Sequence, residues 1–79
     1  MEHKKKKKYV IIIKSQKQFY KYRVDNIIKT RAWLNNKMPD WLYCNIFDNV
    51  TKEYKDNITK HKYSELEETE LKNWNHYED

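Results

Sequence analysis

The period of apolar and polar positions changes several times along the chain. Tyr9 to Lys14 is a β-branched run bounded by polar residues, which predicts a strand. The unbroken Val10-Ile11-Ile12-Ile13 within it points to burial on both faces, hence a central place in a sheet. From Phe19 to Val24 the pattern alternates. Tyr20, Tyr22 and Val24 fall on one face, and Lys21 and Arg23 on the other, as in a half-buried strand. Ser15-Gln16-Lys17-Gln18 lies between the two segments. It reads either as a hairpin turn or, through Ser15 and Gln18, as a capping box opening a long helix to Asn36. A helical projection from Phe19 to Leu34 scatters the apolar side chains, so the hairpin is favoured.

Asp25 or Asn26 can then cap a helix running to about Asn36, with Ile27, Ile28, Ala32, Trp33 and Leu34 as its apolar set. Pro39 ends that region, because the residue before a proline is pushed out of the α region. Trp41 to Phe47 predicts another strand, Asp48-Asn49 a turn, and Thr51 to Ile58 a returning partner strand. Lys60 to Tyr63 connects to a second capping box, Ser64 with Glu67. Glu65, Glu67 and Glu68 sit where a helix N-terminus favours acids. The last helix is expected from about Glu65 to Asn75, with a narrow apolar stripe of Leu66, Leu71 and Trp74. The expected fold class is α+β: a small antiparallel sheet with two helices in the order ββαββα. The alternative is βαββα with a long first helix. Residues 1–6 are expected as a disordered basic arm, and 7–79 as a single α+β domain.

Size and composition narrow the functional classes. A chain of 79 residues buries only about 60–65% of its unfolded surface, so its core is thin. Small-molecule sites usually need about 300 Å³ or more of concave space. The chain contains no Gly. Phosphate-binding loops, dinucleotide fingerprints and nucleophile elbows need Gly where the backbone approaches a ligand or turns sharply. Those three motifs are excluded. The only cysteine is Cys44, so no internal disulfide forms. The Val10–Ile13 run is too short for a membrane span or a signal h-region, and the expected location is the cytoplasm, with no membrane partner. The N-x-T sequons at Asn49 and Asn57 then have no role. The excess of Lys, Asn, Ile and Tyr, all with A/T-rich codons, suggests an AT-rich bacterium, phage or mobile element.

Charge divides the chain. Residues 1–37 carry twelve Lys/Arg against two acids, and residues 38–79 carry five Lys against ten acids. Such polarity suits a basic surface for nucleic acid, an acidic surface for a protein, or attraction between the halves. The candidate contacts to nucleic acid or an acidic partner are Lys4, Lys5, Lys6, Lys7, Lys8, Lys14, Lys17, Lys21, Arg23, Lys29 and Arg31. Twelve residues are aromatic, more than so small a core readily hides, and Tyr43 is one of those expected to be partly exposed. Tyr, Trp and Arg anchor protein interfaces. The candidate protein-partner contacts are Tyr54, Tyr63, Glu65, Glu67, Glu68, Glu70, Trp74 and Tyr77. Phe19-Tyr20-Lys21-Tyr22-Arg23 interleaves aromatics with cations, as a base-stacking surface would. Alternation within one strand, however, sends Tyr20 and Tyr22 to the face opposite Lys21 and Arg23.

No constellation points to catalysis. His3, His61, His76 and Cys44 have no metal-ligand spacing, Cys44 reads as a small core residue, and no Ser is paired locally with a His. No catalytic residue, cofactor or metal is expected. The expected function is that of a small non-enzymatic binding protein. The first form of it is a phage or mobile-element accessory or inhibitor acting on host protein machinery, such as a nucleic-acid-handling defence complex. The alternative is a nucleic-acid-binding module using the basic half. A homodimer would cover exposed aromatics.

Overall fold

The computed structural model describes residues 7–74, and of Trp74 the backbone alone. The expected arm through Lys6, and Tyr77, lie outside the described residues. Within them the element order is β1 (Tyr9–Ser15), β2 (Phe19–Val24), α1 (Ile27–Lys37), β3 (Trp41–Asp48), β4 (Tyr54–Thr59) and α2 (Glu65–Trp74). The fold is therefore α+β in the order ββαββα. The long first helix is replaced by the β1–β2 hairpin. Ser15 explains why its capping-box pattern does not start a helix. Its Oγ accepts from the backbone N–H of Lys17 and Gln18 and donates to the carbonyl of Gln18. The same hydroxyl chemistry that caps helices here closes a turn.

The four strands form one antiparallel sheet in the order β2-β1-β3-β4. The apolar β1 is central, as its run predicted. Both helices pack on one side. The core gathers Ile11 and Ile13 from β1, Ile27 and Leu34 from α1, Trp41, Cys44 and Ile46 from β3, and Ile58 from β4, with Tyr9, Tyr20, Val24, Met38 and Leu66 packed against it. Val10 is also buried although it points to the other face of the sheet. Its cross-strand neighbours there, Arg23 and Phe47, flank it.

Two expectations are corrected. The return strand begins at Tyr54 and not at Thr51, because Asp48 to Glu53 is consumed by the turn. Asp48 Oδ1 accepts from the N–H of Val50 and Thr51, and Lys52 takes a left-handed φ of 68°. A glycine would ordinarily fill that position; this chain has none. The buried face of α1 is also different. Ile27, Thr30, Arg31 and Leu34 are buried, whereas Ala32 and Trp33 are exposed and Ile28 is only half-buried.

Arg31 explains the rotation of α1. Its guanidinium donates to both carboxylate oxygens of Glu67, at 2.6 and 2.9 Å, and to the carbonyls of Thr59 and Lys62. The rings of Tyr63 and Trp41 lie beneath and beside it, 4.4 and 5.7 Å from their centroids. Glu67 is itself fully buried and completes the capping box of α2. Its Oε1 accepts from Ser64 N–H, and Ser64 Oγ accepts from Glu67 N–H. A second helix start is closed from afar: Glu70, on α2, accepts from the N–H of Ile27 and Ile28 at the start of α1, beside the local cap Asn26.

Candidate nucleic-acid interface

Strand alternation sets what the other face of the sheet displays. In an antiparallel sheet, directly paired residues share a face, so the register gives three rows across β2, β1, β3 and β4. They are Phe19–Lys14–Tyr43–Thr59, Lys21–Ile12–Asn45–Asn57, and Arg23–Val10–Phe47–Tyr54. The last row follows a register shift after Ile46. No helix among the described residues packs on this side.

These twelve positions hold three cations, four aromatics and no Asp or Glu. Lys14 Nζ lies 4.6 Å from the centroid of the Phe19 ring. Phe47 and Tyr54 meet edge to face with centroids 5.8 Å apart. Phe19 and Tyr54 are 59% and 58% exposed, while Tyr43 and Phe47 are half-buried. Between the aromatic rows, Asn57 Nδ2 donates to Asn45 Oδ1 at 2.8 Å. The centre of the face thus carries amides, and its opposite corners carry rings.

The separation of aromatics from cations within β2 holds: Tyr20 and Tyr22 lie on the helix side, stacked at 6.4 Å. Rings reach the cationic face instead from Phe19 and from the neighbouring strands. Tyr43, Phe47 and Tyr54 are interleaved with Lys14, Lys21 and Arg23 only once the strands pair. Nothing in the sequence alone marks Asn45, Phe47 and Asn57 as site residues, because the signal is cross-strand register and no local spacing carries it.

The remaining candidates are dispersed. Lys7 and Lys8 precede β1, exposed; Lys7 pairs with Asp25 at 3.4 Å, and Lys8 N–H donates to the same carboxylate. That N–H first, and the Lys7 ammonium second, hold the Asp25 carboxyl below its usual value. Lys17 is exposed in the hairpin turn and Lys29 on α1. Arg31 and Glu67 are occupied with each other inside the fold, so neither side chain is presented to a partner. Their hydrogen bond raises the Arg31 pKa further. Glu65 and Glu68 are exposed on α2, whereas Glu70 is half-buried over the start of α1. Tyr63 is 49% exposed beside Arg31. Tyr54 belongs to the open sheet face, away from the acidic helix it was grouped with.

Cys44 is buried in β3, and burial pushes its thiol up to about 12. It stays protonated and inert at neutral pH. Among the described residues no three His, Cys, Asp or Glu side chains gather as a metal site, and no helix is long and apolar enough to cross a membrane. Comparison with protein families, curated proteins and solved structures found no match.

Proposed function

We propose that this is a non-enzymatic binding protein whose open sheet face takes single-stranded nucleic acid. The observation that carries the reading is the three-row lattice, with three cations and four rings on one face and, among the described residues, no acid in its rows. Single-strand binders pair a positive surface that follows phosphates with rings that stack bases, at about 1–3 kcal/mol per stacked base. The face suits unpaired strands because their bases can turn onto Phe19 and Tyr54; bases in a duplex cannot. The exposed acids Glu65 and Glu68 lie on the helix side, away from the phosphates.

An accessory or inhibitory role toward a host nucleoprotein complex is compatible with the same chemistry. The open face would contact the nucleic acid, and the acidic helix would face the protein component.

Fluorescence anisotropy with a labelled oligothymidylate, its RNA counterpart and a duplex tests this. Three phosphate contacts predict a log–log salt slope of about −2 on a single strand, with weaker binding to the duplex. Replacing Lys14, Lys21 and Arg23 together by Ala should flatten that slope. Phe19→Ala with Tyr54→Ala should weaken binding and leave the slope in place. No binding at low salt, or equal affinity for the duplex, overturns the proposal.

A further inference from the structure

We propose that the groove between β2 and α1 docks an extended acidic peptide of a protein partner, which adds to the sheet as a fifth strand beside β2. The two sites share Arg23, but this one rests on backbone pairing at β2 and the Tyr22–Trp33 pocket, so its failure would leave the open-face reading standing.

Three observations converge on it. First, β2 is an outer strand. Ser15 N–H bonds the carbonyl of Gln18, and counting antiparallel alternation from that pair turns the backbone groups of Phe19, Lys21 and Arg23 away from β1. Such a row is a template for strand addition. Second, the groove beside it, about 470 Å³, is walled by rings. Tyr22 and Trp33 meet edge to face at 5.3 Å and remain 40% and 39% exposed. Trp33 is the large apolar side chain that α1 leaves outside the core, because the helix turns Arg31 inward. The groove therefore offers one apolar side-chain pocket immediately next to strand backbone that no described residue pairs. Third, its charge is positive. Lys7, Arg23 and Lys29 line it, and its one acid, Asp25, already holds Lys7 and the N–H of Lys8. An extended peptide with acids flanking one apolar residue complements all three features. A nucleic acid supplies the charge but has no backbone to continue the sheet.

The test is an amide NMR titration with a blocked peptide of about eight residues, in which Glu alternates with Val around a central Phe. The expected result is shift changes confined to β2 and the exposed side of α1. A version N-methylated on alternate amides should lose binding, as should one with Lys in place of Glu. Trp33→Ala, checked for an unchanged fold by circular dichroism, should weaken binding about tenfold or more. The N-methylated peptide leaves the protein untouched, so it decides the matter even if Trp33→Ala perturbs α1. The proposal is overturned by no binding at about 1 mM peptide, by equal binding of the N-methylated peptide, or by shifts on the open face at Tyr43 and Phe47. Concentration-dependent shifts along β2 without peptide would overturn it too, since the occupant would then be a second copy of this chain.

Discussion

The two sides of the sheet are built from alternate residues of the same four strands, yet they treat charge in opposite ways. On the helix side, carboxylates are consumed in making the fold. Glu67 closes α2 and neutralises buried Arg31, Glu70 closes α1, and Asp56 accepts from the N–H of Glu65 and Leu66. On the open side, Lys14, Lys21 and Arg23 have no acid in their rows. The charge asymmetry along the sequence becomes an asymmetry through the thickness of the sheet. Among the described residues, the only charged side chains in the rows of the opposite face are the three cations. A polar group on one side is therefore expected to matter for stability, and on the other for binding.

Breaking the helix side should have the largest effect. Glu67→Ala strands a buried guanidinium and removes half of the α2 capping box. Removing one partner of a buried pair typically costs about 3–5 kcal/mol, a large share of the stability of so small a domain. Urea denaturation measures it. A loss below about 1 kcal/mol would put the pair in the range of a surface ion pair and dissolve the contrast between the faces. Ser64→Ala, which removes only the reciprocal cap, should cost about 1 kcal/mol in the same assay.

The open side should respond the other way. Lys14→Ala, Lys21→Ala and Arg23→Ala should each change stability by no more than about 0.5 kcal/mol, while the oligonucleotide affinity falls and its salt slope flattens. A stability loss as large as that of Ser64→Ala would mean that these cations help hold the sheet. The smallest effect is expected at half-buried Asp48. The N–H groups of Thr51 and Val50, with Lys55 further away, hold its carboxyl below the usual 3.8. A depressed carboxyl contributes stability above its unfolded pKa and loses it as pH falls through the folded value. Asp48→Asn should therefore shift acid unfolding slightly toward neutral pH. Acid titrations that superimpose for the two proteins would show that the turn does not depend on that charge.

Much of the architecture was legible where the cause is local. Alternation in residues 19–24, the cap at Asn26, Pro39 and the Ser64–Glu67 box each act within a few residues, and each marks an element boundary within a residue or two. What escaped the sequence depends on distant partners. Arg31 looked like a surface cation, because Glu67, which draws it inward, lies 36 residues away. Trp33 looked like core for the same reason, since burying Arg31 turns it outward. The open-face lattice was hidden because its rings and cations come from different strands, and only the register of β1 with β2 and β3 brings them side by side. Glu70 read as part of an acidic patch; its backbone partners Ile27 and Ile28 belong to the other helix.

The reach of Glu70 couples the two helices in time as well as in space. The amide protons of Ile27 and Ile28 are held by a carboxylate from α2, not by the turn they begin. Their exchange with solvent deuterium therefore requires the Glu70 carboxylate to let go, as it must when α2 lifts away, whereas Lys29, held by the local Asn26 side chain, can exchange by fraying alone. The ratio of these protection factors is a built-in clock for the undocking of the C-terminal helix, readable without labelling or mutating a single side chain.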